Sequence, residues 1–320
     1  MIQLRADPWL PEFGMGVEFL LEEEEASADS TVERDDWSRP ISPPTPSSTR
    51  MWFIDGVRRV ELRVLADEDE RHAFGLFGSF AVGAVRCDKR AEFADHEIGR
   101  ALVLGSGLRP RPVAVPCGGG TLAFEPQSEP GTLPDRPLWC LQQLMRRSEA
   151  LISARVAAAA EDVVVSDGPL TYTDPTTCPL VGMIKRFARL YIGPNEVRLL
   201  ALLRPGQRTP LFALHGRGGA AHRYSWYARV ASLSGPWHVY AGLVRCEIRA
   251  AVGLDAAVGV ANRVTALLPG YAGRASDPRT PQNLAPIAGA EAWLRHRMGH
   301  PALIRRALLE HLSLVGAAAA

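Results

Sequence analysis

The sequence predicts an α/β protein: a mixed sheet flanked by helices, entered through an extended N-terminal arm. Three stretches carry this. Residues 51–65, MWFIDGVRRVELRVL, alternate apolar and polar after Gly56, as a half-buried antiparallel strand does. Val163-Val164-Val165-Ser166 is a β-branched run closed by Asp167-Gly168-Pro169, which reads as a short buried strand with Asp167 at its tip. Between them, residues 137–161 space Leu138, Leu141, Leu144, Met145, Ile152 and Val156 so that one helical face is apolar.

Taken in order, residues 1–50 form the arm. Glu22 to Glu25 make an acidic run, and Pro40, Pro43, Pro44 and Pro46 follow among polar residues, a composition that favours extended chain over a packed core. Trp9, Phe13, Phe19 and Leu20 give the arm apolar side chains that could dock on the body or on a partner. Residues 51–320 are expected to form one domain. Gly75, Gly78 and Gly83 punctuate further strands, Phe80 to Val85 being the clearest, so the domain opens as an antiparallel meander. Residues 115–136 read as a Gly/Pro-rich loop, 171–179 as loop, and 180–192 as helix or strand. Strands are expected at 197–203 (VRLLALL) and 210–214 (PLFAL), joined by a turn at Arg204-Pro205-Gly206-Gln207. Residues 238–249 read as a strand, and 255–268 and 283–313 as helices, separated by a loop from Pro269 to Gln282.

A formal net charge of +1 excludes a global pull toward nucleic acid, so any such binding must come from a local basic patch. The five cysteines, Cys87, Cys117, Cys140, Cys178 and Cys246, are scattered and form no CxxC pair, which argues against a zinc site or a disulfide framework and for a cytoplasmic compartment. No apolar run reaches the length of about 18 residues that a membrane span needs, and MIQLRADPWLPEFG lacks the basic-then-apolar pattern of a secretory signal.

The chemistry is read from three acids. Asp55 follows an apolar strand, Glu149 sits on the helix, and Asp167 ends the later strand. Asp on a first strand, Glu on a helix and Asp on a later strand is the order in which ribonuclease-H-like nucleases gather two divalent ions. Such a centre needs converging carboxylates that hold Mg²⁺ or Mn²⁺, with hard oxygen ligands. Each Asp-Gly pair also reads as an ordinary turn, and Glu149 as a solvated helix position, so the weight rests on the joint order.

The matching stretches go further. FIDGVRR (53–59), Glu149 eighteen residues before Asp167, VVVSDGPL (163–170), GMIKR (182–186), YSWYARVA (224–231), AGLVRCEIR (241–249) and DPRTPQNLAPI (277–287) together resemble the NurA nuclease family, from about residue 51 to the C-terminus. The resemblance implies a ribonuclease-H-like fold and a Mn²⁺-dependent DNA nuclease, both 5′ exonuclease and single-strand endonuclease. It also implies a homodimer that works with a hexameric HerA-type ATPase, and it puts Asp55, Glu149 and Asp167 in the places of the family's metal-binding acids. The sequence departs from the family near its end, where a Tyr and a His are replaced by Thr280 and Ala288. Asp277 is the expected substitute ligand, although Asp277-Pro278 also reads as a turn initiator; Asn283 is a weaker candidate that also suits a helix N-cap.

DNA contacts are expected from basic and aromatic residues. Lys185, assigned to the catalytic set, and Arg186 could meet phosphates. Arg58 and Arg59 point to opposite faces if the strand continues, so at most one faces the site. Tyr224, Trp226 and Tyr227 could stack on unpaired bases or pack at a helix start. Arg245 shares a strand face with Glu247, where a structural ion pair is the competing reading. The chain has no Walker A pattern, so motor activity would have to come from a partner. Two other readings compete with the nuclease: a catalytically silent DNA-binding or scaffold subunit of a translocase, and an α/β protein in which the Asp-Gly pairs are only turns.

Overall fold

The computed structural model describes residues 2–7, 26–69, 71–160, 162–174, 177–186, 189–216, 221–233, 237–273 and 282–319. Strands are β1 (Gln3–Ala6), β2 (Ser27–Asp29), β3 (Met51–Glu68), β4 (Arg71–Cys87), β5 (Ala91–Leu104), β6 (Val113–Cys117), β7 (Gly120–Ser128), β8 (Val163–Asp167), β9 (Leu180–Ile184), β10 (Phe212–His215), β11 (Ala221–Arg229) and β12 (Leu243–Arg249). Helices are α1 (Arg136–Ala159), α2 (Pro194–Leu202), α3 (Leu254–Leu267), α4 (Ala285–Arg297) and α5 (Pro301–Ala319). The fold is mixed α/β. Eleven of the strands follow the order β2-β10-β11-β12-β9-β8-β3-β4-β5-β7-β6, and β1 adds to β3.

The centre of this sheet is a change of direction. β3, β4 and β5 form the expected antiparallel meander, whereas β8 runs parallel to β3 and β9 parallel to β8. Successive side chains of a strand alternate between faces, and here the two faces have different covers. Ile54, Val82, Ala84 and Val164 pack with Leu141, Met145 and Ile152 of α1. Phe53, Val85, Val165 and Met183 pack on the other face with Ala257 and Val264 of α3 and Ile287 and Ala290 of α4. α5 closes a third cluster over the far end of β3, through Ile304 and Leu308.

Two expected segments take a different form. Residues 115–136 are not a loop throughout: β6 and β7 make a tight hairpin in which Gly118 (φ 58°) and Gly119 (φ 82°) fill a two-residue turn that only positive φ satisfies. Residues 197–203 lie mostly in a helix, α2, not a strand. A seven-residue apolar run does not separate strand from buried helix by period; Pro194 at the first turn with Glu196 beside it starts a helix. Residues 223–232 fall mostly in strand β11.

The arm, where described, lies against the body. Glu33 takes both outer nitrogens of the buried Arg208 (2.7 and 2.8 Å) and accepts from the Leu211 amide, while the Trp37 ring packs into a core cluster with Phe212 and Leu200. The acidic run Glu22 to Glu25 and Trp9, Phe13, Phe19 and Leu20 lie outside the described residues.

Candidate metal centre

β3 and β8 are paired from Met51↔Val163 to Ile54↔Ser166. The next residue on each strand is an aspartate, so Asp55 and Asp167 lie side by side just past the paired segment, Asp55 within β3, which runs on to Glu68, and Asp167 at the end of β8. Alternation sends Asp55, like Phe53, to the face covered by α4, and Asp167 follows Val165 to that same face. α4 buries Ile287, Ala290 and Leu294 against the sheet and thereby brings Glu291 to the two aspartates. One oxygen from each of Asp55, Asp167 and Glu291 lies within 4.8 Å of the others. This acidic triad, with Asp55 buried and Asp167 and Glu291 half-buried, could bind a metal ion.

Asp55 is the centre of the triad. Its Oδ1 accepts from the Gly56 amide at 2.8 Å, while its Oδ2 is buried with no hydrogen-bond partner. Burial first, and the Asp167 charge second, push its carboxyl well above the usual range; Lys185 opposes them and Glu149 and Glu291 add to them. A desolvated, unpaired carboxylate oxygen is costly unless a cation meets it. An all-oxygen set of carboxylates is the donor set that hard divalent ions prefer. The residues therefore fit Mg²⁺ or Mn²⁺. Lys185, just past β9, donates to Asp167 at 2.6 Å and to the Asn283 side chain at 3.0 Å, so one ammonium is held against one member of the triad.

Glu149 stands apart from that set. It lies on α1, on the opposite face of the sheet, where its Oε2 accepts from Arg146 at 2.7 Å and its Oε1 from the Ser166 hydroxyl at 3.3 Å. Burial raises its pKa, against the nearby Arg146 charge. Arg146 also donates to the main-chain carbonyl of Asp167 at 2.7 Å, and Gly168 (φ 116°) leaves room for it: a Cβ there would sit 2.9 Å from the guanidinium. Among the described residues, the acids whose oxygens gather within 4.8 Å of one another are Asp55, Asp167 and Glu291, and the expected Glu149 is not in that group. Glu149 and Arg146 instead brace the strand end from behind.

The other expected site residues divide sharply. Arg58 leans on Gln142 of α1 on the Ile54 side of β3, and burial together with the charges of Arg146 and Arg295 brings its pKa down to about 10. Arg59 is on the Asp55 side but is spent on Glu61, at 2.8 and 3.0 Å. Arg186 is exposed just past Lys185. Trp226 is fully buried with its indole N–H donated to Thr265 (3.2 Å), and Tyr227 is equally buried, so neither can stack on a base; Tyr224 is only partly buried, packed against the same core as Trp226. Arg245 is buried and donates to Glu247 at 3.0 Å, so the structural ion pair is the correct reading and a DNA contact is closed to it. Asp277 and Thr280 lie outside the described residues; Ala288 is on α4, one turn before Glu291.

Glu291 and Arg146 were not singled out from sequence as members of this centre, whereas Asn283 was, as a weaker ligand candidate. Glu291 had a usable signal: it is the one acid on α4, four residues after the buried Ile287 and next to the apolar stripe. Asn283 precedes the α4 cap residue Leu284 and serves Lys185 through its side chain. No helix among the described residues is long and apolar enough to cross a membrane. No protein-family model matches the chain, and no curated protein matches it.

Proposed function

We propose that this chain is a metal-dependent deoxyribonuclease of the NurA type, hydrolysing phosphodiester bonds on a ribonuclease-H-like sheet. The observation that carries the reading is the gathering of one oxygen each from Asp55, Asp167 and Glu291 within 4.8 Å, with Asp55 Oδ2 buried and without a hydrogen-bond partner. The meander β3–β4–β5 with β8 added parallel to β3 is the arrangement the reading calls for. Glu291, one turn after Ala288 on α4, supplies an acid close to where the family's His is missing.

In this proposal Asp55, Asp167 and Glu291 hold a Mn²⁺ or Mg²⁺ ion. When bound, the metal supplies the positive charge that activates water and stabilises a leaving oxygen. Lys185 orients Asp167 and places an ammonium at the mouth of the centre, where a phosphate enters. Arg146 and Glu149 fix the main chain at the end of β8, and with it the point from which the Asp167 carboxylate projects. A two-ion mechanism would take a second such ion beside the first. The activities proposed are 5′–3′ exonuclease and single-strand endonuclease, in DNA end processing or phage defence. The chain carries no nucleotide-binding motif, so translocation falls to a HerA-type hexameric ATPase, with the nuclease as a homodimer.

The test pairs calorimetric titration of Mn²⁺ with cleavage of an end-labelled oligonucleotide, for wild type and Asp55→Asn. The proposal expects Mn²⁺ binding and cleavage in the wild type and neither in the variant. A second reading, a catalytically silent DNA-binding subunit, is favoured by the closure of Glu149 onto Arg146; it expects Mn²⁺ binding without cleavage. Absence of Mn²⁺ binding by the wild type overturns both.

A further inference from the structure

α4 has a second flank. On the side away from the acids, the Trp293 ring stacks face to face on Phe93 of β5, with centroids 4.6 Å apart and planes 5° apart. His96 meets the same indole edge-on at 4.8 Å, and the Arg297 guanidinium lies 5.5 Å from its centroid. This stack is at the surface: Phe93 is 43% exposed and Arg297 is exposed.

An irregularity in β5 builds the platform. Ala84 pairs with Asp95 and Val85 with Phe93, so Ala94 is an extra residue, a bulge. Phe93 and His96, three residues apart, would point to opposite faces of a regular strand. The bulge turns both to the α4 face and sends Asp95 to the other side, where it pairs with Arg155 of α1. The same register carries Glu92 and Glu97, the partners of Arg86 and Val82, to the α1 face. The α4 face of this edge is therefore aromatic and basic, with its neighbouring acids turned away. Bulges are common devices for re-aiming side chains beside functional sites.

The platform is also in line with the acidic centre. Asp55 pairs with Gly83 and Gly83 with His96, so the three lie in one row across three strands, about 10 Å from first to last. Leu294 of α4 covers Gly83 in the middle of the row. The exposed top of α4 between the two flanks ends in Arg295, His296 and Arg297.

We propose that Phe93 and Trp293, flanked by His96 and Arg297, form a stacking platform for unpaired nucleotides of the strand that the acidic centre cuts, reached across the basic last turn of α4. The proposal rests on the nuclease reading for the identity of that strand. Aromatic faces accept any base, and neighbouring cations bind the backbone, which is how sequence-independent single-strand sites are made.

The experiment measures binding of a fluorescent oligo-dT and of a blunt duplex to the full chain in EDTA, with Mn²⁺-dependent cleavage assayed in parallel. The variants are Phe93→Ala, Trp293→Ala and the conservative Phe93→Tyr, with melting curves as the folding control. Single-strand affinity should fall roughly 5- to 150-fold in each alanine variant, duplex affinity should change little, and Phe93→Tyr should restore binding. Phe93→Ala keeps the test decisive if Trp293→Ala unfolds, because Phe93 is on the surface. Wild-type cleavage with single-strand affinity unchanged in Phe93→Ala overturns the platform and leaves the nuclease standing. Lost single-strand affinity in the alanine variants, with a wild type that does not cleave, supports the platform and overturns the nuclease. Equal losses for strand and duplex overturn the platform.

Discussion

Glu247 and Asp55 are both buried carboxylates on one sheet, and their surroundings differ in kind. Glu247 Oε1 accepts from the Leu170 amide at 2.8 Å and from Arg223 at 3.2 Å, and its Oε2 accepts from Arg245 at 3.0 Å. Its charge is met by two buried guanidiniums, and it pins the segment after β8 to β12. Asp55 has one main-chain donor, one oxygen with no partner, and two further carboxylates within 4.8 Å. The first region is a finished structural unit. The second has one internal cation, Lys185, for three carboxylates, and could take a metal ion as well.

The sharpest way to break this comparison is Asp55→Asn. Cleavage should fall on the order of 10³-fold or more, about 4 kcal/mol of lost transition-state stabilisation. In metal-free buffer at neutral pH the same variant should melt higher than wild type, because a repelled carboxylate is gone. A lower melting temperature would put Asp55 in Glu247's category. Glu247→Ala is the converse case. It leaves Arg223 and Arg245 buried and unpaired, so urea unfolding should show a loss of about 3–5 kcal/mol.

Glu149→Gln sharpens the boundary between the two regions. It keeps the shape of the brace but weakens its hold on Arg146, and through Arg146 on the Asp167 carbonyl. Cleavage should drop roughly 10- to 100-fold, the usual cost of losing an outer support, with Mn²⁺ still bound to the triad. A loss as large as that of Asp55→Asn, with Mn²⁺ binding also abolished, would make Glu149 a direct ligand.

The pH dependence separates the regions without mutation. Burial and the neighbouring carboxylates raise the folded pKa of Asp55. The folded protein then keeps a proton that the unfolded chain loses above about pH 4. Metal-free stability should therefore fall as pH rises from about 4 through the folded pKa of Asp55, and saturating Mn²⁺ should flatten that fall. Melting temperatures across that range, with and without Mn²⁺, check it; a metal-free curve that rises instead reverses the assignment. The smallest effect expected is from Arg186→Ala. This exposed cation should change DNA affinity only a few-fold and reduce the salt slope by about 1.

Much of the fold was legible because local pattern and burial agreed. The alternation of 51–65, the Val163–Val165 run and the apolar face of 137–161 each have one low-energy reading, and β3, β8 and α1 follow from them. The failures were local ambiguities. The run at 197–203 is too short to show a period, and the β6–β7 hairpin was hidden in a stretch rich in Gly and Pro. The aromatic set of β11 stayed open between base stacking and packing because residue type alone does not state burial: Trp226 looks like a base-stacking residue and is a core residue bonded to Thr265.

The sequence by itself determined that Asp55 and Asp167 each end an apolar run, MWFI in one case and the β-branched Val163–Val165 with Ser166 in the other, while leaving strand and turn open at each Asp-Gly pair. It also determined that Glu149 lies on a helix between them. Only the tertiary structure decided which acids meet. Parallel pairing of β3 with β8 aligns Asp55 with Asp167, alternation sends both toward α4, and the packing of Ile287, Ala290 and Leu294 delivers Glu291 to them from more than a hundred residues away. The same pleat puts Ser166 on the α1 face, and with it the brace to Glu149. Which face a side chain takes is a property of the whole sheet and its covers, and no local stretch of sequence carries it.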